Sequence, residues 1–171
     1  MSSLTMSEVE VISYCHEIER WRKDREDALR SPDGWLSLAG LFMLSAGSYR
    51  LGSAEGNDIV LPTGAPAHLG TLTYHGGTAT LEVTSETPVW VSDVAMRTVE
   101  MVDNHQGRKP TIVNIGNISL NLHRFGDEVA LRVKDSDSAA IRDFAGCRWY
   151  EIKPDYSVVG QLRRAEKVVP L

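Results

Sequence analysis

Residues 118–133, ISLNLHRFGDEVALRV, decide the fold class. Ile118, Leu120 and Leu122 alternate with Ser119, Asn121 and His123, and Val129, Leu131 and Val133 alternate with Ala130 and Arg132. A period of two marks strands with one face in a core, and Gly126-Asp127 supplies a tight turn. The spacing therefore predicts a hairpin of strands 118–125 and 128–133. Upstream, 69–74 and 78–83 flank His75-Gly76-Gly77, a second hairpin signal, and shorter strands fit 89–91, 96–102 and 111–115. Short strands at such intervals, joined by Gly, Pro, Asn and Asp, predict a mainly β chain. We expect an antiparallel β-sandwich or partly open barrel over 64–160, with one long N-terminal helix packed on it.

That helix is expected over 7–30. Thr5-Met6-Ser7-Glu8 has the capping-box pattern, and Val11, Cys15, Ile18, Trp21, Ala28 and Leu29 recur at three- and four-residue steps. Ser31-Pro32 ends it, because a residue before proline is pushed out of the α region. Between helix and sandwich, 34–62 is expected to be a buried segment leading into the sheets. Trp35, Leu36, Leu38, Leu41, Phe42, Met43 and Leu44 come too densely for a half-exposed strand. Short strands then follow at 48–51 and 58–61 around the turn Gly52-Ser53-Ala54-Glu55-Gly56-Asn57. Residues 103–110, DNHQGRKP, form the most polar loop and are expected to be mobile. One or two helical turns are expected at 136–142, and a last strand or two within 147–159.

The 171 residues are expected to form a single domain, 1–171, of ordinary globular composition. A net charge of -5, with no cluster of Lys and Arg among aromatics, disfavours nucleic acid as a partner. The N-terminus has no basic stretch followed by an apolar one and no run long enough for a bilayer. The expectation is a cytoplasmic protein that does not engage membranes. Cys15 and Cys147 have no metal or redox spacing, and no histidine pair has a ligand spacing. Neither a metal nor another cofactor is expected.

The strongest polar cluster is Arg132, Asp135, Asp137, Ser138, Arg142 and Asp143, at the end of one predicted strand and in the turn beyond it. Two guanidiniums beside carboxylates can hold a carboxylate or phosphate bidentately. The same residues equally suit a structural network, with Asp135 or Asp137 capping a short helix and Arg142 pairing with it. Asp135-x-Asp137 lacks the glycine turn and terminal Glu of a calcium loop, and no serine sits in a nucleophile elbow. Trp35, Trp90, Trp149 and Tyr150 suit a stacking pocket, though core packing is the more common use of such aromatics. The candidate ligand-binding residues are thus Arg132, Asp135, Ser138 and Arg142, with His68 and Trp35 beside them. No catalytic residue is assigned.

Trp21-Arg22, Arg25-Glu26, Leu29, Gly34-Trp35-Leu36, Leu38, Gly40-Leu41, Leu44, Gly47, Gly52-Ser53 and Asn57-Asp58-Ile59-Val60-Leu61-Pro62 resemble the N-terminal half of a family of uncharacterised prokaryotic proteins, domain-of-unknown-function family 1684. So do Arg132, Asp135, Ser138, Arg142, Phe144 and Gly146. The resemblance implies no activity. Typical members continue into a second half with Asp-Phe-Asn and Asn-Pro-Pro-Cys patterns that this sequence lacks. If the family's chemistry lives there, a binding module is expected here rather than an enzyme. Leu51-Gly52-Ser53 followed by Asn57-Asp58-Ile59-Val60-Leu61 also resembles the signature of phosphopeptide-binding forkhead-associated modules. Those place an Arg directly after the glycine and a Ser three residues before a His. Ser53 and Ala65 stand at the corresponding places, so the resemblance implies the sandwich and not phosphothreonine capture.

The leading expectation is a non-catalytic module that binds a small anionic ligand, or an acidic group of a protein partner, near Arg132, Asp135 and Arg142. The alternatives are a hydrolase using Asp135 with a histidine such as His68, and a structural homo-oligomer, for instance a homodimer formed through the helix stripe.

Overall fold

The computed structural model describes residues 8–158 and 160–163. In chain order these form α1 (Glu8–Arg30), a 3-10 turn (Trp35–Ser37), β1 (Leu38–Leu44), β2 (Gly47–Gly52), β3 (Ile59–Val60), β4 (Gly70–His75) and β5 (Thr78–Val83). Then come β6 (Val89–Val91), β7 (Val94–Met96), β8 (Thr98–Val102), a 3-10 turn (His105–Gly107), β9 (Val113–Ile115), β10 (Ile118–Phe125) and β11 (Glu128–Asp135). α2 (Ala139–Arg142) and a 3-10 turn (Pro154–Tyr156) complete the order. The protein is mainly β with one long N-terminal helix, and the capping-box residues Thr5 to Ser7 lie outside the described residues.

The strands make two sheets, a six-stranded one in the order β1-β11-β10-β9-β6-β7 and a five-stranded one in the order β3-β2-β4-β5-β8. Every pairing is antiparallel except β2 with β3, so the fold is a sandwich and not a closed barrel. The 118–133 hairpin forms in the expected register, with Phe125 opposite Glu128 and Leu122 opposite Leu131. Gly126 takes φ 60°, a left-handed conformation that glycine adopts at no steric cost. Its inward residues Ile118, Leu120, Leu122, Val129, Leu131 and Val133 join Leu51, Leu72, Leu81, Val99 and Met101 in one buried apolar cluster. Fully burying a Leu or Val side chain contributes roughly 1.5–3 kcal/mol.

The run expected to be buried, 35–44, is the main correction. Of Trp35 to Leu44 only Ser37 and Leu44 are buried. β1 is an edge strand paired with β11, Leu41 opposite Arg132 and Phe42 opposite Leu131. The alternation is real but hidden, because both faces of the strand carry large apolar side chains: Phe42 and Leu44 turn towards the core, while Leu41 and Met43 stay exposed. Dense hydrophobicity was the wrong guide to burial here. Loop 103–110, expected to be mobile, is anchored at its first residue by the buried Asp103. No strand occurs among the described residues of 147–159.

The described chain divides into two compact units, residues 8–26 with 146–158 and 160–163, and residues 27–145. In the smaller unit the Glu26 carboxylate accepts hydrogen bonds from Cys147 N–H (3.0 Å) and from the Trp149 indole (2.8 Å). Trp149 also packs edge-on against Trp21 at 5.4 Å and under the Arg22 guanidinium, which donates to Tyr150 O. No residue of α1 is buried. Both cysteines are free and half-buried. The larger unit contains the whole sandwich.

Candidate functional site

The site candidates begin with β11. Its outward residues are set by the register, so Arg132 points away from the core between Leu41 of β1 and Asn121 of β10. Just before β1 the 3-10 turn carries Trp35, 71% exposed, and at the far end of β10 Phe125 leans onto the same face. Trp35, Leu38, Leu41, Phe125, Arg132 and Lys134 line a groove of about 300 Å³. Lys134 is already engaged, its ammonium donating to Asp33 O (3.0 Å) and to the Asp33 carboxylate (2.9 Å). Arg132 is half-buried and, among the described residues, its side chain makes no hydrogen bond or ion pair.

A guanidinium in such a place is unusual. Partial burial removes water from a permanent charge, and an apolar wall offers nothing in return. Its field is felt by His123, which stacks edge-on against Phe125 with ring centroids 4.4 Å apart. Burial first, and then the nearby Arg132 charge, hold the His123 imidazole below its ordinary pKa. Asp33 lines the same groove, but its carboxylate is taken by Lys134, and among the described residues no carboxylate pairs with Arg132.

The rest of the sequence-predicted cluster lies elsewhere and is internally satisfied. An Asp135 carboxylate oxygen accepts from Asp137 N–H (2.9 Å). The Ser138 hydroxyl accepts from Ile141 N–H (3.2 Å), capping α2, and donates to Leu36 O (2.6 Å). Arg142 pairs with the Asp137 carboxylate (3.1 Å) and donates to Asp137 O. Ser138, not Asp135 or Asp137, is the cap, and its second bond ties α2 to the turn that presents Trp35. Asp135, Asp137 and Arg142 line a separate depression of about 540 Å³ with Thr63 and Gly64. A third groove, about 770 Å³, runs past Lys109, Asn114, Asn117 and Ser119.

His68 sits at neither place. Its Nδ1 lies 3.3 Å from the Asn57 carbonyl oxygen, and the Asn57 amide donates to Ala54 O and Ala67 O (both 2.8 Å). Ser53 donates to Ala65 O (2.9 Å), and Gly52 must be glycine because a Cβ there would lie 2.2 Å from Ala67 O. These residues staple the β2–β3 and β3–β4 loops together. Beside them Arg50 grips Asp58 with two side-chain bonds of 3.0 Å, and that hydrogen bonding lowers the exposed Asp58 carboxyl to about 2. No hydrogen bond joins His68 to Asp135 among the described residues, and no group of three or more His, Cys, Asp or Glu there is placed to hold a metal ion. Nor is any described helix long and apolar enough to cross a membrane.

Sequence reasoning missed one functional-looking pair. Asp103, 1% exposed, follows β8 and accepts from Arg124 of β10 (Nε 2.7 Å, Nη2 2.6 Å) and from His105 N–H (3.0 Å). Burial works to raise its pKa, and the bonds from His105 and Arg124 outweigh it, so the net shift is downward. Arg108 approaches to 4.0 Å, and Asn104 accepts from Arg124 N–H. The signal available was Arg124 itself, a charge at an inward position of an alternating strand. The aromatics also depart from expectation: Trp35, Trp90, Trp149 and Tyr150 are all exposed rather than packed in a core.

Neither a protein-family model nor a curated protein matches the sequence. Among solved structures, the neighbours include FHA domains. The FHA-2 domain of a Mycobacterium tuberculosis ABC transporter is 30% identical over 52% of this chain and 76% of that one, with a TM-score of 0.37. The FhaA FHA domain, solved with the intracellular domain of Rv3910, is 16% identical over 55% of this chain and 97% of that one, also at 0.37. Mycobacterium tuberculosis EmbR, solved with a low-affinity phosphopeptide, is 18% identical over 72% of this chain and 31% of that one, at 0.34. Likenesses at these TM-scores establish neither fold nor function, and the sandwich rests on its own strand pairing.

Proposed function

We propose that the protein is a non-catalytic binding module whose groove on the outer face of the six-stranded sheet receives an acidic group of a protein partner. The observation that carries this reading is Arg132, a half-buried guanidinium without a carboxylate, walled by Trp35, Leu41 and Phe125. Apolar walls lower the local dielectric, so a carboxylate arriving there gains more from the charge than it would in open water. The exposed aromatic and aliphatic side chains around the charge have the composition of a partner-binding patch. A hydrolase centred on Asp135 and His68 has less support, because each of those side chains is occupied by a neighbour that belongs to a loop staple or a turn.

The test is a titration of isotopically labelled protein with N-acetyl-Phe-Glu-amide, followed by amide and arginine side-chain NMR. Shifts centred on Trp35, Leu41, Phe125 and Arg132, lost in Arg132→Gln and retained in Arg142→Ala, are the expected result. Shifts confined to 135–142 would move the site to Arg142. No shifts anywhere would sink the proposal.

A further inference from the structure

The groove is bounded on one side by an open sheet edge. β1 stands first in its sheet, bonded to β11 on one side and, among the described residues, to nothing on the other. Alternate N–H and C=O groups of this seven-residue strand therefore point outward from the sheet. Natural edges are usually protected by a charge, a proline or extreme shortness. LAGLFML has none of these, and its register shift is confined to the Leu38–Gly40 step, leaving Gly40 to Leu44 regular. Such an edge is a template for an added strand.

We infer that the occupant of the groove is an extended acidic-apolar peptide that pairs with the free edge of β1 and lays a carboxylate across Leu41 onto Arg132. The inference rests on the proposed function and adds the conformation of the partner. Strand spacing of about 4.8 Å puts the added strand roughly 10 Å from β11, a gap that an Arg and a Glu side chain together can bridge. The pleat then dictates the pattern. Residues two away from the acid share the outer face with Met43 and Trp35 and are apolar. The residues between them continue the inner face beside Phe42. A second copy fits the edge less well: β1 carries no charged residue, so two β1 strands paired with each other would leave both Arg132 groups without a carboxylate.

The experiment is selection of seven-residue peptides from a display library on the full chain, counter-selected on Arg132→Gln. Winners are then remade with alternate backbone amides N-methylated. The expected winners carry Asp or Glu flanked at plus and minus two by apolar residues and lack central proline. They should weaken at least tenfold on methylation of one edge and protect β1 amides from hydrogen exchange. Winners that need Arg132 but tolerate methylation or contain central proline would overturn strand addition and leave the groove intact. Absence of any Arg132-dependent winner would overturn both readings. A concentration-dependent dimer dissociated by Met43→Pro would assign the edge to a second copy and overturn the peptide.

Discussion

Two arginines on one hairpin have opposite fates. Arg124, on β10, turns into the end of the sandwich and meets a buried carboxylate with two short bonds. Arg132, on β11, turns outward into an apolar groove and meets none. The pair shows how differently one fold can surround the same side chain. Where the partner lies within the chain, linking β10 of one sheet to the end of β8 of the other, the arginine closes the structure. Where the surroundings are shaped but the counter-charge is missing, the arginine is the residue on which the proposed partner site rests.

The comparison is broken most forcefully from the Asp103 side. Asp103→Ala leaves the Arg124 charge in place with its counter-charge gone, and removing one partner of a buried pair costs about 3–5 kcal/mol. Urea unfolding should show that loss, with Asp103→Asn less affected because it can still hydrogen-bond. The native Asp103 carboxyl is held below its unfolded value. Its contribution is therefore present above the ordinary carboxylate range and is lost as pH falls through the lowered native value. Arg132→Gln, by contrast, should change unfolding free energy by less than about 0.5 kcal/mol, as surface changes away from structural contacts do. A comparable loss in both would mean that Arg132 has a structural partner and the distinction fails.

A middle-sized effect is expected at Ser138. Removing the hydroxyl in Ser138→Ala deletes the α2 cap and the bond to Leu36 O, together about 1–2 kcal/mol. It should also loosen the turn that carries Trp35, which Trp35 fluorescence quenching in a variant with the other tryptophans replaced by Phe would detect. Arg142→Ala should cost at most about 1 kcal/mol, because both it and Asp137 are more than half exposed.

Much of this was legible in the sequence. The 118–133 alternation specified its hairpin and register, and Gly-rich turns located most of the remaining strands. Arg132 and Trp35 were both singled out and do share a groove. What stayed hidden depends on distances that sequence spacing does not encode. Arg132 and Arg142 are close in the chain, but one leaves the sheet outward and the other folds back onto Asp137. The edge position of β1 could not be read from LAGLFML, since apolar residues on both faces mask which face is buried. Asp103 looked like the start of a polar loop because its partner, Arg124, arrives from another sheet.

The smallest expected effect is also the sharpest reporter of the groove. His123 titrates below its ordinary value through burial and then through Arg132. Arg132→Gln removes the second cause and leaves the first, so the native His123 pKa should rise part of the way towards the ordinary value of about 6.5. NMR titration of the ring protons measures this directly. The sign for stability follows from linkage. A histidine that prefers to be neutral in the fold supports it fully above the unfolded pKa, and that support is lost as pH falls through the unfolded value towards the lower native one. In Arg132→Gln the two values lie closer together, so the acid-side loss attributable to His123 should shrink. A His123 pKa unmoved by the substitution would mean that the guanidinium does not face the imidazole, and the groove as drawn would lose its charged wall.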